Sequence, residues 1–283
     1  DLTAVYDFRR VVDDVIYQGP MAYLIVWATK VFGPTLLAVS LWKRKYWLWS
    51  IIFFLHVMWF GVSSHKSVLF YPLLVVFLWQ WFQYSRALSL IPIAMLGAVL
   101  TAFALYIFYS EIFLGSLFIR RVFFVPAHLT FVYYEFFSSR DLVYWSSSFA
   151  SWFVDYPYEQ STAREIGAYL GTGASANNSF LSTGYMHAGV SGVILYGILV
   201  GFLFRLIDSL SGKGIPPWLA VASVIVPSQS LLTSADLPTA LLTHGFGMSI
   251  VILLLLRSAV PRSDSQLANL YKNSQARNIS WEP

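Results

Sequence analysis

Apolar stretches of bilayer length recur along this chain, and a helix needs about 20 mostly apolar residues to cross a membrane. Residues 21–42, 46–62, 67–84 and 88–109 come in close succession, and residues 184–206, 216–232 and 238–256 lie further along. Backbone inside hydrocarbon must satisfy its own hydrogen bonds, so runs of this kind become helices. Composition agrees with the pattern. The residues are 57% hydrophobic and 11% charged, against about 25% charged in a soluble domain. We therefore expect an all-α fold, a polytopic integral membrane helical bundle of about seven spans in a single membrane domain over residues 1–283. Residues 21–109 supply four spans, 110–183 one large external segment, 184–256 three more spans, and 257–283 a polar tail.

The external segment is where function is expected, because it is too polar to cross a membrane yet rich in aromatics. Residues 112–137 are nearly apolar enough for a span. Arg120 and Arg121 at their centre argue against one, at about 2.5–3.5 kcal/mol each at the bilayer midplane. Pro126 is expected to break the helix. The reading is a short helix, a bend, and then a helix lying at the membrane surface. On that bent interfacial helix the seven-residue spacing puts Arg121, His128 and Glu135 on one face. Pro157 and the glycine-rich residues 171–175 limit the rest of the segment to loop and short helices.

Basic residues orient the chain. Ten of the 18 Lys and Arg lie on one side of the bundle, on short loops or the tail: Lys43, Arg44, Lys45, Arg86, Arg205, Lys213, Arg257, Arg262, Lys272 and Arg277. That side is expected to be cytoplasmic. Residues 110–183 then face outward, and eleven of the 14 carboxylates fall on that outer side.

Missing motifs narrow the chemistry. There are no cysteines, and the five histidines form no His-Glu-x-x-His pair, which removes thiolate chemistry and the usual zinc-hydrolase site. No phosphate-binding P-loop, no Gly-x-Ser-x-Gly and no Asp-x-Asp occurs. The basic residues form no patch, so nucleic acid is not expected. No metal and no cofactor is expected either. Outward-facing Lys66, Arg120, Arg121, Arg140 and Arg164 suit phosphate, and at a membrane surface the phosphate carriers are lipid-linked. Glu135, Asp141, Asp155, Glu159 and Glu165 are candidate general bases for a sugar hydroxyl. Lys30 lies inside a span, where an ionisable group is a functional candidate.

Four stretches together resemble the Wzy-type polymerases, which join oligosaccharide repeat units of O-antigen and capsular polysaccharides. They are YLIVWATKVFGPTLL from Tyr23, SSHKSVLFYPLLVVF from Ser63, RRVFFVPAHLTFVYYEFFS from Arg120, and SANNSFLSTGYMHAGVSGVILYGILVG from Ser175. In order and spacing they cover most of the chain up to Gly201. Ser179 departs from the pattern, where a glycine is expected.

The resemblance implies a GT-C-like fold in the bacterial inner (cytoplasmic) membrane, with its active site toward the periplasm. It implies a metal-independent glycosyltransferase acting on undecaprenyl-diphosphate-linked oligosaccharides, with a chain-length regulator protein as candidate partner. Family members have more spans, so the sequence is expected to be a piece of a longer protein whose earlier spans are missing. On this reading Arg120, Arg121, Lys66, Arg9 and Arg164 bind diphosphate. Asp141, Glu135, His128 and Glu165 compete for the role of base, and Tyr144, Trp145 and Asn177 face sugar. Two other functions stay open. A transporter or flippase of lipid-linked oligosaccharide would use Lys30, His56 and His244 as a relay. An O-antigen ligase would differ only in its acceptor.

Overall fold

The computed structural model describes residues 19–63, 66–84, 90–212 and 214–259. Helix α1 (Gly19–Trp27) runs through a π-helical turn (Ala28–Phe32) into α2 (Gly33–Trp42). Then come α3 (Tyr46–Ser63), α4 (Lys66–Tyr84) and α5 (Leu90–Tyr109). A longer π-helical segment (Gly115–Phe124) leads into α6 (Val125–Ser138). A 3-10 turn (Phe149–Trp152) and α7 (Thr162–Tyr169) punctuate the loop beyond it. Last come α8 (Phe180–Leu210), α9 (Pro217–Thr233), α10 (Leu237–Leu242) and α11 (Phe246–Ala259). Among the described residues there is no strand.

Among the described residues five helices are long and apolar enough to cross a membrane: Gly19–Trp42, Tyr46–Ser63, Ser67–Tyr84, Pro92–Tyr109 and Phe180–Leu210. Helices α9 and α11 are apolar but shorter. The chain is thus built as a multi-pass membrane protein. For orientation we call the end of the bundle that carries residues 110–179 the loop face, and the end that carries Lys43, Arg44 and Lys45 the basic end.

Two hydrophobic clusters divide the molecule. The larger joins α2, α3, α4, the lower part of α8, α9, α10 and α11, with Leu37, Leu219, Leu231, Phe246 and Leu253 fully buried. The smaller sits above it at the loop face, where Val132, Tyr133, Phe136 and Phe137 of α6 close on Val143, Ile166 of α7, and Met186. Helix α5 packs chiefly against the π-helical segment 115–124 and buries little of its surface.

Three expectations change. Pro126 does not break its helix: Phe124 and Val125 keep right-handed helical angles and the chain runs straight into α6. Both π-helical segments end two residues before a proline, Pro34 and Pro126. In each the residue just ahead of the proline donates to a carbonyl five residues back, Gly33 to Ala28 and Val125 to Arg120. In an α-helix the pyrrolidine ring clashes with the carbonyl four residues back, and the wider π turn makes room for it.

The span expected over 184–206 is also interrupted. Ala188 (φ −149°, ψ 31°) and Gly189 (φ 58°, ψ −144°) leave helical space inside α8. The chain folds back so sharply that Gly184 and Gly192 touch. A Cβ on Gly184 would lie 2.9 Å from the Gly192 carbonyl oxygen and 3.2 Å from the Tyr196 ring. A Cβ added at Gly197 or Gly201, further along the same helix, would meet nothing within 4 Å. Finally, residues 238–256 are two helices, parted at Gly245 with φ 80°.

Candidate functional site

The fold-back in α8 creates the most organised polar cluster among the described residues. A helix that continued past His187 would use the Met186 and His187 carbonyls internally. The break frees them, and the loop takes them: Val143 N–H donates to Met186 O at 3.0 Å and Tyr144 N–H to His187 O at 3.2 Å. Tyr144 (φ 47°) and Trp145 (φ 58°) are both left-handed, a conformation costing non-glycine residues about 1–3 kcal/mol each. In return, the Trp145 N–H donates to His187 Nδ1 at 3.0 Å. Its indole stacks on the His187 ring, with centroids 4.9 Å apart and planes at 16°.

That amide fixes the histidine tautomer. With Nδ1 accepting, Nε2 carries the proton and donates to Asp236 Oδ2 at 3.0 Å. Tyr196 donates its hydroxyl to Asp236 Oδ1 at 3.0 Å and accepts from the Trp145 indole at 2.7 Å. Asp236 also caps α10, its Oδ1 accepting from the Leu237 amide at 2.9 Å. An ionised carboxylate offers about four acceptor positions, and three donors leave one. His187 is fully buried, whereas the Asp236 side chain keeps 16% of its surface. The open acceptor is therefore on Asp236, with His187, Tyr196 and Trp145 holding it.

A second cluster lies in the first span. The π turn carries Lys30, whose Nζ is 3.3 Å from His244 Nδ1, and the Trp27 indole donates to Leu242 O at 2.7 Å. Gly245 closes against Trp27 and Val31. His56 is buried. Its Nδ1 donates to Ile52 O at 2.9 Å, and its Nε2 presses against Gly33 without a hydrogen bond. Among the described residues no carboxylate pairs with Lys30.

The residues singled out from the sequence scatter. Arg120 and Arg121 lie on the second π-helical segment, exposed, their side chains with no hydrogen bond or ion pair to a described residue. Arg120 borders a largely apolar cleft of about 530 Å³ with Tyr106, Glu111 and Phe124. Arg164 is exposed on α7, and His128 on α6. Glu135 accepts from the Tyr169 hydroxyl at 2.8 Å, and Glu165 folds back to the Gln160 amide at 3.0 Å. Asp141 is exposed beside an open hollow shared with Arg140 and Tyr158. Arg140 itself lies over the Phe136 ring at 4.2 Å.

Asn177 is exposed, while its neighbour Asn178 is buried and donates to Pro126 O, Thr130 and Ser182. Arg9 lies outside the described residues, as does the side chain of Lys66. Of the expected sugar-facing residues, Trp145 is part of the Asp236 cluster and Tyr144 stands exposed beside it.

Asp236 and His187 were missed. His187 falls inside an expected span, where an ionisable residue is a functional candidate by default. Asp236 precedes a Leu-Pro pair, the pattern of a helix N-cap. No group of three or more potential metal ligands occurs among the described residues. Neither protein-family models, nor curated proteins, nor solved structures yield a match to this chain.

Proposed function

We propose that this chain is a glycosyltransferase of the GT-C-like, multi-span kind. It joins undecaprenyl-diphosphate-linked oligosaccharide repeat units into surface polysaccharide on the periplasmic face of the bacterial inner membrane. The observation that carries the reading is the part-exposed carboxylate of Asp236, fixed by three donors at the loop face of an apolar bundle. A part-exposed, donor-held carboxylate in an apolar bundle supports a role as base toward the sugar of a lipid-linked donor or acceptor.

The step balances without a metal. The acceptor hydroxyl attacks the anomeric carbon of the donor sugar, forming the new glycosidic bond. The bond from that carbon to the diphosphate breaks, and undecaprenyl diphosphate leaves with its electron pair. Asp236 takes the hydroxyl proton and passes it to water. Cations must stabilise charge developing on the diphosphate oxygens. Arg120 and Arg121 are suited to this because they are exposed and unpaired among the described residues. Lys66, Arg9 and Arg164 remain further candidates.

Asp236→Asn removes the base and keeps its shape, and Arg120→Ala with Arg121→Ala removes the pair. Each variant should leave folded protein and only single repeat units on the cell surface. Wild-type chain lengths from Asp236→Asn would refute the assignment of the base.

The Lys30 contact with His244 favours one second reading, a transporter of lipid-linked oligosaccharide with an intramembrane relay. Deletion separates the two. Lipid-linked units should accumulate on the outer leaflet if the chain is a polymerase, and on the inner leaflet if it is a transporter.

A further inference from the structure

Residues 142–154 carry no charged side chain between Asp141 and Asp155. Within it Phe149 is 67% exposed, Trp152 89% and Phe153 88%. These three belong to a 3-10 turn and the residue just after it. On a soluble surface such a cluster is unusual.

Depth supplies the explanation. Trp145 is bonded to the Tyr196 hydroxyl, and its ring stacks on Phe149 with centroids 6.1 Å apart. At 1.5 Å per residue Tyr196 lies about 14 Å above Arg205 and about 21 Å above Leu210, the end of α8. The hydrocarbon core of a bilayer is about 30 Å thick. With the boundary at the basic end placed between Arg205 and Leu210, Trp145 and Phe149 lie below the hydrocarbon boundary of the loop face. The neighbouring turn can rise only a few residues before the chain turns charged at Asp155.

We infer that the turn over residues 149–154 is seated in the membrane leaflet on the loop face. Phe149 contacts the acyl chains, and Trp152 and Phe153 contact lipid from there up to the headgroup boundary, where aromatic rings are favoured. Its partner is the lipid itself. The Asp236 cluster then has a lipid-facing wall on the side of Trp145. Seating of the turn is independent of the proposed reaction.

The absence of cysteine makes the test direct. A single spin label is attached at Trp152→Cys or at Phe153→Cys. Labels at Glu159→Cys, on the same loop, and Ile198→Cys, on the exposed face of α8, give the water and lipid references. The proteins are reconstituted in phosphatidylethanolamine and phosphatidylglycerol vesicles. Collision rates with oxygen, which concentrates in lipid, and with a water-soluble nickel chelate are then compared.

The expected result is an oxygen-rich, nickel-poor signal at 152 and 153, close to that at 198. A nickel-rich signal like that at 159 would overturn the inference. Protection from both reagents would also overturn it, because it would mean a protein partner covers the turn. Trp152 and Phe153 are almost fully exposed, so their replacement leaves the core intact.

Discussion

Replacing Gly192 with alanine tests the fold-back of α8 at its tightest point. The added Cβ would overlap the carbonyl oxygen of Gly184, which is backbone on the other arm of the fold-back and has no rotamer to give. Relief requires the two arms to separate. Overpacking a well-fitted contact costs about 1–3 kcal/mol, and a backbone obstacle places this variant at the upper end.

The matched control is Gly197→Ala, five residues further along the same helix with nothing within 4 Å. There alanine gains about 0.5–1 kcal/mol of helix preference. Both variants add the same methyl group to the same helix, so thermal unfolding in detergent, followed by loss of the monodisperse peak, compares them directly. Gly192→Ala should unfold at a clearly lower temperature than wild type, and Gly197→Ala at or slightly above it. Equal stability of the two alanine variants would refute the fold-back, because an unbroken helix holds Gly184 and Gly192 about 12 Å apart.

Gly189→Ala should destabilise for a different reason: no atom lies within 4 Å, but φ of 58° with ψ of −144° is disfavoured for alanine by about 1–3 kcal/mol. Hydrogen exchange should report it as faster exchange at the Val143 and Tyr144 amides. His187→Phe keeps the stack on Trp145 but leaves the Trp145 amide without its acceptor, at a cost of about 1–3 kcal/mol; stability equal to wild type would contradict the network. Asn178→Asp replaces an amide that donates to Pro126 O, Thr130 and Ser182 with a group that only accepts, and should lower the unfolding temperature of the loop-face cluster. The Tyr169 phenol donates to Glu135, which raises its pKa above the ordinary tyrosine value of about 10. Its contribution is therefore complete below that value and lost as pH rises through the raised one. Glu135→Gln should move its phenolate titration, read as the absorbance difference from Tyr169→Phe, to lower pH.

Much of the bundle was legible from apolar run length alone, since helices α1 to α5 start and stop close to the runs that announce them. What was not legible has a common cause. Hydropathy averages over some twenty residues, and the breaks that matter occupy two or three. Ala188 and Gly189 sit in an unbroken apolar run, and Gly245 in another. Pro126 misled in the opposite direction, because a π turn absorbs what an α-helix does not. The site was hidden for the same reason. Trp145, His187, Tyr196 and Asp236 are spread over ninety-two positions, and no spacing rule joins them. Charge on the external segment drew attention to Arg120 and Arg121, which are exposed, and away from His187, which is buried in what read as a span.

The polar cluster arises from the break in a definite order. Gly189 permits the reversal, and the reversal leaves the Met186 and His187 carbonyls without helical partners. Buried carbonyls do not stay unpaired, and Met186 and His187 are buried, so the loop is drawn in at Val143 and Tyr144. That register forces Tyr144 and Trp145 into left-handed angles and delivers the Trp145 amide to His187 Nδ1. The tautomer is then settled, and the one N–H that His187 has left reaches Asp236. Asp236 is in turn where it is because it caps α10. A carboxylate buried for stability alone would be better replaced by an apolar side chain. One that keeps an open acceptor, held by three donors, fits the role proposed for Asp236, which is to take a proton from a bound hydroxyl.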